Sequence, residues 1–303
     1  MKAATMHNFG GPEVIVIEDG PAPVPTSGEV LVRVAAAGVG PWDALIREGK
    51  SKVSPPPPLT LGSDLSGVVE AVGLGITEFK NGDKVYGLTN SQFCGANAEY
   101  AIAIATMIAV KPLGITEIEA ASVPVVAVTA WQMLFDYAHA DPGQTVMTLG
   151  AAGNVDAYAV QFAARAGLHV VAAVTKKDTD YVRSLGAEIV LDSQTGTFED
   201  SAPPVDACID TVGGETRERS LGSLKLGGVL VSVVFTDPLP SRPDVRTVFF
   251  YVEVTTERLN TISKLFDSAE LQPRVGSVLT FEGSSSSARD ACWRAAYKEE
   301  RSV

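Results

Sequence analysis

The chain has 303 residues, of which 46% are hydrophobic, and it carries a formal net charge of −12. That length is sufficient for two domains, and the charge argues against nucleic acid or an anionic membrane as a partner. No apolar run reaches the roughly 18 residues that a membrane span requires, and the N-terminal residues lack the apolar core of a signal peptide. The three cysteines, Cys94, Cys208 and Cys292, form neither a disulfide framework nor a metal-ligand spacing. A cytoplasmic globular protein is therefore expected.

Residues 1 to about 118 have the pattern of short strands separated by turns. The extended segments are rich in β-branched residues and bounded by Gly and Pro; they are Val14–Ile17, Val30–Val34, Leu65–Val72, Gly82–Gly87, Glu99–Ala103 and Met107–Val110. The proline run Pro55–Pro58 predicts an extended surface segment. Many short strands with this punctuation predict a compact domain that resembles a β-barrel.

From about residue 119 strands and helices alternate. The predicted strands are Val146–Leu149, His169–Val174, Ala187–Leu191, Val205–Asp210 and Val229–Phe235. The predicted helices are Glu117–Ala121, Ala127–Tyr137, Val155–Ala166, Thr179–Leu185, Leu221–Leu226, Glu257–Glu270 and, after a flexible turn at Ser284–Ser287, Ala288–Tyr297. Such alternation predicts a parallel, doubly wound sheet.

The turn after the strand Val146–Leu149 is the most informative feature. A strand that leads into a helix through small residues directs backbone N–H groups at a dinucleotide pyrophosphate. Against the pattern G-x-G-x-x-G the chain has Ala151, Gly153 and Asp156, so only the middle glycine is retained. A carboxylate about 5 Å from a phosphate would cost about 3 kcal/mol at an effective dielectric near 20. That cost falls below about 1 kcal/mol if the side chain points to water. Alternatively, Asp156 itself satisfies the N–H groups and the helix dipole.

Several further segments carry a family pattern in the same order along nearly the whole chain. They are MKAATMHNFGGPEVI at the start, GEVLVRVAAAGVGPWD at 28–43, GSDLSGVVEAVG at 62–73, FKNGDKVYG at 79–87, ASVPVVAVTAW at 121–131 and VDACIDTVGG at 205–214. Together with the glycine turn they resemble the zinc-independent medium-chain dehydrogenase/reductases of the quinone oxidoreductase-like group. The resemblance implies an α/β fold with a GroES-like β-barrel catalytic domain at 1–118 and 258–303. It also implies a Rossmann domain, a doubly wound parallel sheet, at 119–257, and pairing into a homodimer.

The same resemblance implies an enzyme that transfers the C4 hydride of NADPH to a small-molecule substrate, an α,β-unsaturated carbonyl or a quinone. It places Thr129 at the nicotinamide amide. It implies further cofactor contacts in three groups. Those at the pyrophosphate are Gly150, Ala151, Ala152, Gly153, Asn154 and Val155; those at the sheet ends are Val212, Val233, Val234 and Phe235; those at the nicotinamide are Phe249, Tyr251 and Val252. The alternative for the Val and Phe positions is ordinary sheet core.

Residue types predict a metal-free site that favours NADP(H). Zinc-dependent relatives have a cysteine near position 40 and a His-Glu pair where this chain has Ser63 and Asp64, and glycine at 40 cannot coordinate zinc. After the second Rossmann strand the chain has Thr175, Lys176 and Lys177, which suit a ribose 2′-phosphate. The alternative is a pair of ordinary surface lysines. The histidines, His7, His139 and His169, follow no ligand spacing.

Three departures from the family pattern leave two hypotheses open. Gly40 stands where the family often has an asparagine, so Trp42 and Asp43 become the nearest catalytic candidates; their alternative roles are a buried indole and a turn-capping carboxylate. Asp156 replaces a glycine, and the last residues lack the β-branched run of a strand, which predicts an open sheet edge. The first hypothesis is an NADPH-dependent reductase. The second is a repurposed family member with weakened cofactor binding, either a non-redox biosynthetic catalyst (cyclisation or rearrangement) or a small-molecule binding protein.

Overall fold

The computed structural model describes residues 1–194, 198–234 and 239–280. By its internal contacts the chain divides into two units: Met1–Val125 with the segment that begins at Val254, and Val126–Glu253. Four predictions lie outside the described residues: Phe235, the turn Ser284–Ser287, the helix Ala288–Tyr297 and the open sheet edge at the last residues. Within the described part of the chain, no helix combines the length and apolarity needed to cross a membrane.

The helices and strands follow the chain in an order close to the predicted one. The strands are β1 Lys2–Met6, β2 Ile15–Asp19, β3 Glu29–Ala37, β4 Leu59–Thr60, β5 Asp64–Val72, β6 Lys84–Leu88, β7 Tyr100–Ile104, β8 Ile108–Val110, β9 Thr145–Leu149, β10 His169–Val174, β11 Ile189–Asp192, β12 Val205–Asp210, β13 Leu224–Ser232 and β14 Arg246–Phe249. The α-helices are α1 Pro41–Arg47, α2 Glu117–Ala121, α3 Pro124–Trp131, α4 Asn154–Arg165, α5 Thr179–Ser184, α6 Gly214–Ser220 and α7 Thr256–Asp267. A π-helical segment, Gln132–Tyr137, continues α3.

The first unit is built from antiparallel sheets. One sheet has the order β7-β3-β5-β6-β8 and a second has the order β2-β1-β4. Side chains two residues apart on one strand face the same side, and Val30 and Val32 of β3 meet Leu65 and Val69 of β5 in a buried cluster. Helix α7 belongs to this unit and is bonded to β6, because the buried hydroxyl of Tyr86 donates to the Leu259 carbonyl oxygen at 2.8 Å. The predicted domain of many short strands is confirmed.

The second unit is a parallel six-stranded sheet with the order β11-β10-β9-β12-β13-β14. The chain moves outward from β9 to β11 and then returns to β12 on the other side of β9, so the strand order reverses between β9 and β12. Its strands are nearly continuous apolar runs, as expected for a sheet covered on both faces. The predicted doubly wound fold is confirmed, and the reversal is the usual place for a ligand.

The predicted helix Leu221–Leu226 is wrong. The helix in this region is α6, which ends at Ser220, and only a 3₁₀ turn at Leu221–Ser223 follows it. Leu224 already pairs with Val205 of β12, and a register shift follows between the two strands. Pairing with the central strand therefore determined the conformation of a short sequence whose own pattern suits either helix or strand.

Candidate functional site

Several of the predicted cofactor residues lie at the carboxyl edge of the parallel sheet. The strand registers align Leu149 of β9 with Asp210 of β12, Asp210 with Ser232 of β13, and Ser232 with Phe249 of β14. The residues that follow these strand ends, among them Gly150, Val212 and Val233, therefore share one edge. Because β9 and β12 flank the reversal of strand order, this edge is the expected place for a dinucleotide.

The glycine turn, residues 150–153, connects the end of β9 to the start of α4 at this edge. Gly150 has a φ of +69°, and a β-carbon there would lie 2.8 Å from a Val212 methyl group, so both conformation and space require glycine. The amides of Gly150 and Ala151 donate to the Ala173 carbonyl oxygen, and the amide of Gly153 donates to the Gly150 carbonyl oxygen. Helix geometry then leaves the amides of the first helical residues, Asn154 and Val155, as the donors for an anion.

Asp156 lies beneath this turn and does not point to water. Its side chain is in the first turn of α4, and the residue is 1% exposed. The hydroxyl of Thr211, just past the end of β12, donates to Asp156 Oδ2 at 2.5 Å. A β-carbon on Gly153 would lie 2.8 Å from that same oxygen, so the carboxylate is directed back towards the helix start. Water therefore does not screen its negative charge.

The lysines after β10 are exposed, while the neighbouring hydroxyl is occupied. The Thr175 hydroxyl donates to Asp178 Oδ2 at 2.8 Å, so Asp178 is held by the turn. Lys176 and Lys177 are exposed, and no ion pair of either is found within residues 1–194, 198–234 and 239–280. Both ammonium groups are thus available for an external anion at the end of the second Rossmann strand.

The remaining predicted cofactor residues lie in three places in the second unit. Thr129 is buried in α3. Val212 is 47% exposed and Val233 is partly exposed at the sheet edge. Phe249 packs edge-to-face against Tyr251, with ring centroids 5.2 Å apart, while Tyr251 is 55% exposed and Val252 is partly buried.

In the first unit a chain of hydrogen bonds links Trp42 to a buried carboxylate. The indole Nε1 of Trp42 donates to Ser63 Oγ at 3.0 Å, and Ser63 donates to Asp64 Oδ2 at 2.8 Å. The other Asp64 oxygen accepts the backbone amide of Val125 at 2.7 Å. Ser63 and Asp64 are both buried, so this network is shielded from water.

Asp43 is fully buried and accepts hydrogen bonds only from backbone amides among the described residues. Gly40 donates to one oxygen at 2.9 Å and Gly62 donates to the other at 3.1 Å. This is the turn-capping arrangement. Burial raises the pKa of Asp43 to about 7 against the effect of these donors. Burial likewise raises the pKa of Asp64 to about 7, and the nearby Asp43 charge contributes in the same direction.

The space that a side chain at position 40 would need is filled by the Trp42 indole. A β-carbon on Gly40 would lie 2.3 to 2.4 Å from three atoms of the Trp42 six-membered ring. Within the described residues, no group of three or more His, Cys, Asp or Glu side chains could hold a metal. His7 and His169 instead form exposed pairs with Glu18 and Glu188.

Comparison with known proteins assigns the chain to a family. The family model described as "Alcohol dehydrogenase GroES-like domain" matches residues 26–133, and one described as "Zinc-binding dehydrogenase" matches residues 185–291. A quinone oxidoreductase of Mus musculus is 32% identical over 253 residues, which are 80% of this chain and 76% of that protein. The chain belongs to the quinone oxidoreductase family of the medium-chain dehydrogenase/reductases.

Two further similarities support this membership. The solved structure of the quinone oxidoreductase from Coxiella burnetii superposes with a TM-score of 0.89 at 28% identity, covering 97% of this chain and 96% of that one. A mitochondrial NAD(P)H oxidoreductase of Bos taurus is 34% identical over 218 residues, which are 65% of this chain and 55% of that protein. As a member of this family the protein is an oxidoreductase that uses a nicotinamide cofactor and acts on a small molecule.

Three members of the site are not predicted by the sequence pattern. Ser63 and Asp64 hold the indole of Trp42 in place, and Thr211 donates to Asp156. The sequence signal for them is weak: Asp64 lies among the small and apolar residues of 61–69, which suggests a buried, hydrogen-bonded carboxylate.

Proposed function

We propose that this family member is an NADPH-dependent reductase that delivers hydride to a quinone or an α,β-unsaturated carbonyl without a metal. The observation that carries the proposal is the convergence of the glycine turn, the start of α4 and the carboxyl ends of β9, β12, β13 and β14 on one edge. This arrangement fits a dinucleotide, because amides at a helix start bind a pyrophosphate. Quinone oxidoreductase relatives support the substrate class.

Each residue would have a definite task with the cofactor bound. The amides of Asn154 and Val155 bind the pyrophosphate, and Lys176 with Lys177 binds the ribose 2′-phosphate. Thr129 holds the nicotinamide amide, with Phe249 and Tyr251 at the side of that ring. NADPH supplies the hydride, while the protein positions the acceptor and excludes water. Among the described residues no group stands out as a general acid, so solvent is proposed to protonate the enolate carbon.

The packing of the Trp42 indole over Gly40 supports the metal-free mechanism. A cysteine at position 40 would have to displace this indole, and the Ser63 hydroxyl already donates its hydrogen bond to Asp64. We assign the catalytic role to the GroES-like domain, with the predicted bounds 1–118 and 258–303, and cofactor binding to the Rossmann domain, 119–257. A cytoplasmic homodimer completes the proposal.

Calorimetric titration with NADPH and with NADH tests the cofactor assignment. Replacing both lysines, Lys176→Ala with Lys177→Ala, should weaken NADPH binding about tenfold, because two charge-assisted contacts to the 2′-phosphate are lost. NADH binding should stay within about twofold, since NADH lacks that phosphate. Lys225→Ala is the control, because this lysine pairs with Asp206 near the start of β12, at the opposite edge of the sheet. Equal losses for both cofactors would contradict the assignment.

The repurposed-member hypothesis is favoured by one observation, the buried carboxylate of Asp156 at the helix start. It predicts that neither cofactor binds at millimolar concentration and that no acceptor promotes NADPH oxidation. Binding of NADPH together with its oxidation by a quinone or an enone would exclude it.

A further inference from the structure

Two aromatic side chains of the first unit share one apolar base. Trp42 and Phe93 are both partly exposed, and both pack against the buried cluster formed by Met6, Ile46, Leu59 and Leu61. Each residue therefore contacts the core and is also partly open to solvent. Exposed aromatic surface on a rigid base is suited to binding a flat, apolar ligand.

Trp42 is held in one orientation. Its six-membered ring lies over Gly40, where any side chain would collide with it, and its Nε1 is tied to Ser63. Ser63 is in turn tied to Asp64, which is anchored by the Val125 amide. A side chain fixed in this way loses little further freedom when it meets a ligand, so the energy of the contact is retained in the affinity.

Phe93 is held in a backbone conformation that a bulky residue rarely adopts. Its φ is +60°, in the left-handed region that favours glycine or asparagine. Two side-chain hydrogen bonds fix the loop around Phe93: Thr89 Oγ1 and Asn90 Nδ2 both donate to the Cys94 carbonyl oxygen at 2.8 Å. A strained conformation of this kind persists only where the surrounding structure maintains it. Such residues cluster at active sites and at sites that bind ligands. The conformation of Phe93 therefore supports a role for this residue in contacting a ligand.

We propose that Trp42 and Phe93 are specificity-determining residues that contact the electron acceptor and favour planar, conjugated carbonyl compounds. Ser63 and Asp64 act as positioning residues, since they reach the acceptor only through the indole. The inference rests on the proposed reductase function and adds to it the residues that choose the acceptor. Rings of the acceptor stack on or against the two side chains, as aromatic pairs do in protein cores.

Steady-state kinetics with two acceptors tests the proposal. The probes are 9,10-phenanthrenequinone, which is planar and aromatic, and 2-cyclohexenone, which is small and puckered. Trp42→Leu and Phe93→Leu keep apolar bulk but remove the ring, and each should raise KM for the quinone about tenfold with kcat changed less than about threefold. KM for 2-cyclohexenone should change less than about threefold. Ser63→Ala should raise KM for the quinone by a smaller factor, about threefold, because the indole is freed but present.

Trp131→Phe is the matched control, because this tryptophan packs against Phe135 and Phe162 in the second unit. Unchanged KM values for the quinone in both leucine variants would overturn the proposal. The two variants are independent tests, so that a folding failure of one leaves the other decisive.

A fluorescence titration needs no turnover and separates this inference from the proposed function. Phenanthrenequinone added without cofactor should quench the emission of the Trp131→Phe protein, which keeps Trp42, at least about threefold more than that of Trp42→Phe. Preferential quenching in a protein that oxidises no NADPH would reject the reductase proposal while retaining the aromatic site. Equal quenching in the two variants would reject the aromatic site, even in an active reductase.

Discussion

The charge of Asp156 should govern how tightly this protein binds its cofactor. The carboxylate lies in the first turn of α4, is directed towards the helix start and is 1% exposed. An anion on the amides of Asn154 and Val155 would lie about 5 Å from it, which at an effective dielectric near 20 gives a repulsion of about 3 kcal/mol. That energy corresponds to a factor of about one hundred in the dissociation constant.

Three variants separate charge from space. Asp156→Asn removes the charge at nearly constant volume, and Asp156→Gly removes the whole side chain. Both should bind NADPH more tightly than the parent protein, by about tenfold to one hundredfold. Thr211→Val keeps the carboxylate but removes the hydroxyl that donates to it, so its affinity should not exceed that of the parent. Isothermal titration calorimetry at constant pH and ionic strength measures all four constants.

Two outcomes would refute parts of this reasoning. Equal dissociation constants in the parent, Asp156→Asn and Asp156→Gly would refute the repulsion. Tighter binding by Asp156→Gly alone would show that the space beneath the Gly153 turn matters and that the charge does not. Urea unfolding of each variant serves as the control, because glycine in a helix costs about 1 kcal/mol relative to alanine.

Three further predictions concern stability and metal dependence. Tyr86→Phe should lower the free energy of unfolding by about 1 to 3 kcal/mol, because the buried hydroxyl loses its hydrogen bonds with the Leu259 carbonyl oxygen and the Ser263 hydroxyl. Urea unfolding measures this loss, and a loss as small as that of Tyr100→Phe, on the partly exposed edge strand, would contradict the prediction. Burial raises the pKa of Asp64 to about 7, so folding favours the protonated acid, and stability from this group is lost as pH rises from about 4 to about 7. Between those pH values the free energy of unfolding of Asp64→Asn should therefore rise relative to that of the parent by up to about 4 kcal/mol. If the difference in unfolding free energy between the two proteins did not change with pH, the raised pKa would be contradicted. EDTA should leave NADPH oxidation unchanged, and a loss that zinc restores would refute the metal-free mechanism.

Local sequence patterns determined most of the fold of both units. The apolar run before Gly150 and the helical spacing after it predicted β9, the turn and α4, because periodicity and glycine conformation act over only a few residues. The strand Val205–Asp210 has the predicted bounds. The same reasoning placed a helix on Leu224, where pairing with β12 formed a strand instead. Short segments with a mixed pattern take the conformation that their partners require.

The chemistry of the candidate site was decided by contacts between distant parts of the chain. Sequence alone placed the carboxylate of Asp156 after the glycine turn that we propose binds the pyrophosphate, and it left the direction of the side chain open. The tertiary structure buried it against Thr211, 55 residues further along. Likewise the indole of Trp42 meets Ser63 across 21 residues, and Val125 reaches Asp64 across 61. Side-chain direction, burial and the resulting pKa depend on which strands and helices pack together, and no local pattern encodes that packing.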